Sequence, residues 1–287
     1  MVACFVCYDG TMRIILCDDI SYCGGVRRAI GIVKTCLSTG KRPIYTLGEL
    51  IHNPDVCGYL ERNGVRVVND PEDAAPGILV IRAHGVGDGV RESFMKAGYT
   101  IYDATCPIVR HNLQSIKSLS KSRSIIVVGD KGHDEVKAMS QVEGVPVLNI
   151  SSPEEVNAIP ADKAYALFVQ TTFSSEAYDA ICTSVRKRGL HVLFANKICP
   201  SSEKRRKAIA RLAAQCDAVL IVGGRNSANT KALYNLVLSL GKKGWMIENE
   251  TEVTDEMRDV PLLGLASGAS TSMQMIRKVQ DCLEKNA

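Results

Sequence analysis

The chain has 287 residues with 35 basic and 31 acidic side chains, a net charge of +4. That small excess argues against nucleic acid as a partner, and no apolar run approaches the roughly 20 residues that span a bilayer. With 46% hydrophobic residues, no low-complexity tract and no secretory signal, the sequence predicts a cytoplasmic protein with no membrane partner.

Residues 1–11 contain a C-x-x-C pair, Cys4 and Cys7. No second pair completes a zinc site and no helix pattern follows, so this stretch reads as a loose extension and the folded chain starts at Met12. From there apolar strands alternate with amphipathic helices, which predicts an α/β protein with small, mostly parallel sheets. "MRIILCDDISYC" leads to Cys23 and the helix "GGVRRAIGIVKTCL". "PIYTLGELIHN" is a strand running into a polar turn with His52 and Asn53, and "ILVIRAHG" is a second one ending at His84. "YTIYDATC" then reaches Cys106 and the helix "PIVRHNLQSIKSL".

The middle of the chain repeats this order. "SIIVVGDKGHDE" presents His133 and Glu135, "YALFVQTTFSS" presents Thr171 and Thr172, and "LHVLFANKIC" reaches Cys199 before the helix "PSSEKRRKAIARLA". The last part offers "AVLIVGGRNSANT" with Ser227 and Asn229, then "LLGLASGAST" with Ser270, and a closing helix. The three cysteines are 83 and 93 residues apart. We expect three similar lobes, 24–105, 106–198 and 199–287, the third completed by the N-terminal strand 12–23. The basic runs "KRRK" (204–207) and "RKR" (186–188) read as solvated helix faces.

Eleven cysteines are too many to ignore, and an odd number cannot pair completely. In a reducing cytosol disulfides are not expected. Cys17, Cys36, Cys57, Cys182, Cys216 and Cys282 fit apolar or helical patterns, where a free cysteine packs as a small hydrophobe. Cys23, Cys106 and Cys199 differ because each ends a strand and begins a helix. Parallel α/β sheets bind ligands beyond the carboxyl ends of their strands. A helix N-terminus lowers a thiol's pKa toward the metal-binding thiolate. Lobes facing one centre would give three thiolates and a vacant position for a substrate. Catalytic zinc satisfies that arrangement; an all-thiolate set favours an iron–sulfur cluster, and a 4Fe–4S cube with three protein ligands keeps one iron open.

The turns supply the rest of a pocket: His52, His84, His133, Thr171, Thr172, Ser227, Asn229 and Ser270 are the donors a phosphate or diphosphate needs. Singly each has a plainer reading, Ser227 as a helix cap and His52 or His84 as a satisfied buried histidine. Glu135, in H-x-E, suits a proton donor with its pKa raised beside an anionic ligand, and Thr171 a relay; its plainer role is a favourable charge in a first helical turn. "RAHGVGDGVRES" with Asp103 imitates a dinucleotide fingerprint, but its glycines are spaced G-x-G-x-G. A zinc- or nucleotide-dependent enzyme acting on a phosphorylated small molecule is the alternative reading.

The motifs "YCGGV", "GELIHN", "AHGV", "ATCP", "GHDE", "QTT", "ICPSS", "NSANT" and "SGAST", in this order from Met12 onward, resemble the 4-hydroxy-3-methylbut-2-enyl diphosphate reductase family of the non-mevalonate isoprenoid pathway. The resemblance implies a trefoil of three α/β lobes around a 4Fe–4S cluster held by Cys23, Cys106 and Cys199. It also implies reductive removal of an allylic hydroxyl as water, giving isopentenyl and dimethylallyl diphosphates. Glu135 would be the proton source with Thr171 and His133 in its path. His52, His84, His133, Ser227, Asn229 and Ser270 would hold the diphosphate, and ferredoxin or flavodoxin would supply electrons. The chain departs from the family's usual pattern at Ser21-Tyr22 (usually Gly-Phe), Ala228 (often serine) and Ser272 (often proline). Ala228 removes one hydroxyl from the phosphate turn, which is expected to weaken affinity without abolishing activity.

Overall fold

The computed structural model describes residues 12–285, so Cys4 and Cys7, with the proposed extension 1–11, lie outside the described residues. The chain forms two compact units. One comprises residues 23–202; the other joins the N-terminal segment up to Tyr22 to everything from Glu203 onward.

The 23–202 unit holds two four-stranded sheets. After α1 (Gly24–Ser38), the first is built from β2 (Ile44–Leu47), β3 (Val65–Val68), β4 (Ile78–Ile81) and β5 (Thr100–Asp103), with α2 (Pro54–Arg62) and α3 (Asp88–Lys96) between them. Its order is β3-β2-β4-β5, parallel throughout. After α4 (Pro107–Leu119), the second sheet takes β6 (Ser124–Val128), β7 (Val147–Ile150), β8 (Ala164–Val169) and β9 (His191–Phe194) in the order β7-β6-β8-β9. The helices α5 (Asp134–Ser140) and α6 (Ser175–Lys187) are its crossovers. Parallel neighbours need such long connections, and this is why strand and helix patterns alternate so regularly.

The other unit has one sheet. Its strands are β1 (Arg13–Leu16), β10 (Ala218–Val222), β11 (Lys243–Ile247) and β12 (Leu262–Ser267), ordered β1-β12-β10-β11 and again all parallel. Helices α7 (Pro200–Gln215), whose first three residues belong to the 23–202 unit, α8 (Ala228–Ser239), the short α9 (Asp255–Arg258) and α10 (Met273–Glu284) complete it. The first strand of the chain thus pairs with the last, Arg13 opposite Leu262 through Leu16 opposite Leu265.

In every sheet the two central strands are the continuous apolar runs. "ILVI" of β4 and "AVLIV" of β10 are buried along their whole length, as expected for strands covered on both faces. Two of the edge strands alternate instead: "TIYD" of β5 and "HVLF" of β9 each expose their first and third residues. This division places the turns and the recurrent cysteines. Polar turns follow the central strands, and Cys23, Cys106 and Cys199 follow the edge strands β1, β5 and β9.

Three local expectations change. The strand that opens the chain is only four residues, Arg13–Leu16, and Cys216 lies one residue past α7 rather than inside a helix, though still buried. "KRRK" is not wholly a solvated face, because Arg205 is 1% exposed. Its Nη1 donates to the carbonyls of Ser267 and Gly268, and its Nη2 to Asp19 Oδ1 and the Ser21 carbonyl, at 2.8–3.0 Å. A charge run in a sequence does not show that one member turns inward to a carboxylate some 186 positions away.

Candidate active site

The three recurrent cysteines all fall in the 23–202 unit. Cys23 and Cys106 are the N-caps of α1 and α4, and Cys199 immediately precedes α7. All three are partly exposed and none is in a disulfide. Cys106 lies close enough to Cys23 and Cys199 for both to act on its ionisation. The sequence argument that a helix start lowers the thiol's pKa is only half right here. The amides of Ile108 and Val109 do pull Cys106 down, but burial is the larger influence, and with the two neighbouring thiols it lifts the net value above the ordinary thiol range. Thiols crowded in this way give up their protons to a cation that all of them can share.

Gly25 shows how closely the backbone approaches. A Cβ on Gly25 would meet Cys106 Sγ at 2.8 Å and Cys23 Sγ at 3.9 Å, whereas one on Gly24 would meet nothing within 4 Å. The donor set is sulfur from separate segments, with a bare backbone pressed against two of the thiols. It fits an iron–sulfur cluster better than the short-spaced ligands of structural zinc.

Glu135 is 1% exposed and opens α5 beside His133. Thr171, at the turn after β8, donates its N–H to Glu135 Oε1 at 2.9 Å and bonds Oε2 through its hydroxyl at 2.7 Å. Burial pushes the carboxyl up to about 7, against the smaller downward pull of the two Thr171 contacts. The rise follows from desolvation alone, so it needs no anionic neighbour.

His52, His84 and His133 come from three different turns and share one place. His52 and His84 stack with ring centroids 4.5 Å apart, and His133 stands edge-on to both, at 5.9 and 5.4 Å. One nitrogen of each lies within 4.8 Å of the others. Burial and the mutual proximity of the rings hold His84 well below its ordinary pKa and bring His133 down to about 4. His133 Nδ1 accepts the Glu135 N–H at 3.1 Å, which assigns the ring proton to Nε2. His84 Nδ1 is buried without a partner. His84 and His133 are thus held as neutral imidazoles, suited to an oxyanion that would restore their protons.

Sequence reasoning missed the residues that hold this group in place. Asp134 takes an ion pair from Arg82 Nη1 at 2.9 Å and faces His52 Nε2 at 3.5 Å, while Glu49 meets His52 Nδ1 at 3.1 Å. Gln170, fully buried, accepts the Asp130 N–H and donates to Thr172 Oγ1 at 3.0 Å, so it braces one turn on the next. The only sequence signal was their position inside "RAHG", "GHDE" and "QTT". Asp103, the acidic partner of the dinucleotide imitation, is engaged elsewhere. It accepts the Thr105 N–H and pairs with Arg91 and Arg110. Gly85 and Gly87 are there because a Cβ would strike Thr105 and Leu113 or Gln141.

In the other unit, Ser227 caps α8 by accepting the Thr230 N–H, the plainer of its two readings. Asn229 is buried with its Oδ1 unpartnered, and Ser270 is buried in the turn after β12. The two turns are tied together: Thr271 Oγ1 and Gly268 N–H both donate to the Val222 carbonyl, at 2.8 and 2.9 Å. Ser21, two residues before Cys23, adopts φ +72°, the one positive φ at a residue other than glycine among the described residues. Its N–H donates to Ser267 Oγ, its hydroxyl to the Thr271 carbonyl, and its own carbonyl accepts from Arg205.

Comparison with known proteins identifies the chain's relatives. Residues 14–284 match the family model described as LytB protein. A 4-hydroxy-3-methylbut-2-enyl diphosphate reductase of Treponema denticola is 33% identical over 277 residues, covering 92% of this chain and 96% of that protein. Another from Pelobacter propionicus is 34% identical over 270 residues, with 93% and 96% covered. The solved structure of the E-1-hydroxy-2-methyl-but-2-enyl-4-diphosphate reductase from Plasmodium falciparum superposes with a TM-score of 0.88 at 26% identity, covering 94% of this chain and 87% of that one. With a match spanning nearly its whole length, and relatives at this level of identity, the chain belongs to the LytB family.

Proposed function

We propose that the chain is a 4-hydroxy-3-methylbut-2-enyl diphosphate reductase, converting that allylic alcohol to isopentenyl and dimethylallyl diphosphates with release of water. The observation that carries this reading is a buried carboxyl held near neutrality at about 7, bonded through Thr171, in the same unit as three crowded thiols and three imidazoles gathered within 4.8 Å of one another.

Cys23, Cys106 and Cys199 would hold a 4Fe–4S cluster, supported by the all-sulfur donor set and by the absence of a side chain at Gly25. When bound, that cluster supplies electrons and one Lewis-acidic iron for the alcohol. The chain's own residues do the rest. His52, His84 and His133 donate N–H groups to the diphosphate, and Ser227, Asn229 and Ser270 are assigned to it from their turns. Holding the anchor fixes where the hydroxyl lies. Glu135, protonated below about pH 7, passes its proton through the Thr171 hydroxyl so that water leaves rather than hydroxide. Thr172, braced by Gln170, lines the same turn. Ferredoxin or flavodoxin is the electron donor in this reading. We take each sheet with its helices as one lobe, 24–105, 106–198 and 199–287 with strand 12–23, a division supported by the identical strand order of the three sheets.

Anaerobic purification with iron and acid-labile sulfide analysis, followed by turnover of the diphosphate with reduced methyl viologen, tests the proposal. A brown protein forming both alkenyl diphosphates is expected; a colourless, zinc-loaded protein overturns it.

A further inference from the structure

We infer that helices α1 and α4 form a cationic landing surface for a small acidic electron-carrier protein. The inference rests on the reductase reading above, since it assigns the entry point for the electrons that reaction consumes.

Six helices lie wholly within the 23–202 unit. Four carry two acidic residues each: α2 has Asp55 and Glu61, α3 Asp88 and Glu92, α5 Asp134 and Glu135, and α6 Glu176 and Asp179. The other two, α1 and α4, carry none. They are also the two capped by Cys23 and Cys106. Their charges are Arg27, Arg28 and Lys34 on one and Arg110 and Lys117 on the other. Arg27 and Arg110 fall one turn inside their helix starts, where the macrodipole favours acidic residues and disfavours cations. Local helix stability therefore does not explain them.

The positions favour a protein partner. Arg28 is exposed and makes no ion pair among the described residues; its guanidinium donates only to the carbonyls of Thr105 and Asp103, at 3.2 and 3.3 Å. This pins an uncompensated positive charge beside the residue that precedes Cys106. Arg110 and Lys117 remain 41% and 61% exposed although each has a carboxylate neighbour. Around them the surface turns apolar, with Ile108 and Tyr102 exposed. A cationic patch with apolar residues, on the two helices that the partly exposed Cys23 and Cys106 cap, complements an acidic protein that must bring its redox centre close. Between α3 and α4 a recess of about 200 Å³ is rimmed by Arg91, Arg110 and Lys117 together with Asp88 and Asp103, with which they pair.

The electron balance fixes the carrier's use. Removing the hydroxyl takes two electrons and two protons: the C–O bond breaks, one C–H bond forms, and water leaves. Two one-electron carriers are therefore oxidised per alcohol, so each turnover requires two dockings.

The test compares two reductants on the anaerobic holoenzyme: a reduced acidic 2Fe–2S ferredoxin and reduced methyl viologen, a small cation that needs no docking surface. Arg28→Gln and, farther from the thiols, Lys117→Gln should each slow reduction by ferredoxin by about fivefold or more at low salt, and leave the viologen rate within about twofold. Ferredoxin turnover by the unaltered enzyme should fall steeply with ionic strength. Equal slowing with both reductants would mean the cations tune the redox centre, and no slowing with either would mean they are idle; each result overturns the inference. So does salt-sensitive binding to anionic vesicles, or a dimer lost in Arg28→Gln, with the ferredoxin rate unchanged. An enzyme inactive even with methyl viologen would instead bring down the reductase reading on which this one stands.

Discussion

Thr171 engages both oxygens of Glu135, one through its backbone N–H and the other through its hydroxyl. A buried carboxyl held at two points has one orientation, and only the hydroxyl contact leads onward. In the proposed reaction the pair would set the direction of proton movement.

Glu135 titrates near 7 in the folded chain and near 4.5 in the unfolded one. Between these values the unfolded chain gives up a proton that the folded chain keeps, so stability declines as pH rises from about 4.5 to about 7 and then levels off. The decline amounts to about 3 kcal/mol. Glu135→Gln keeps the contacts without the charge, so its melting temperature should exceed that of the parent at pH 8 and match it near pH 4.5. The same variant should lose turnover while retaining iron and sulfide. For the parent enzyme kcat should fall as pH passes upward through about 7, since the acid form is the proton donor.

Thr171→Ala removes the relay and leaves one carboxyl oxygen without its hydroxyl partner. We expect kcat to drop on the order of 100-fold with little change in KM. Thr171→Ser restores the hydroxyl and should recover most of the rate, an outcome that steady-state kinetics of the two variants side by side would establish.

Gly25 and Gly24 form a matched pair for testing the thiol site. Alanine at Gly25 places a methyl group 2.8 Å from Cys106 Sγ, while at Gly24 it meets nothing within 4 Å. Gly25→Ala should be purified with its iron content reduced severalfold and Gly24→Ala with normal content, as read by metal analysis and visible absorption. Far-ultraviolet circular dichroism should be the same for both.

Arg205→Met leaves Asp19, which is 15% exposed, to the exposed Lys204 at 3.6 Å, and removes the shared donor of three carbonyls. Breaking a buried pair from one side costs about 3–5 kcal/mol. Urea denaturation should show a loss of that size with an unchanged m-value, whereas replacing the exposed Arg211, whose partner Asp18 is 80% exposed, should change little.

Regular patterns carried much of this architecture. The apolar runs of β2, β4, β6, β8, β10 and β12 are long enough and uniform enough to declare buried parallel strands, and each polar turn after them was readable as a binding edge. The thiols were legible because they recur in step with that pattern. Asp134 was not, because a carboxylate beside Glu135 looks like helix-start chemistry until Arg82 and His52 are seen to converge on it. Arg205 was misread because burial of a charge depends on partners far away in the chain. The ionisation of Cys106 was misread because local amides were weighed without the desolvation that only packing creates. At Ser21, where glycine is usual in the family, a left-handed residue is sustained by three hydrogen bonds that no local rule foretells.

The pairing of β1 with β12 gives the chain an order of assembly. During synthesis the first strand emerges early and must wait for the last one to clear the ribosome before it gains a neighbour. The 23–202 stretch, in contrast, is continuous and contains every partner its own sheets require. Domains tend to fold as units while the chain is still growing, and contacts that span nearly the full length close late. Cys23, Cys106 and Cys199 all lie within the segment that is finished first, so their convergence does not wait for the last strand.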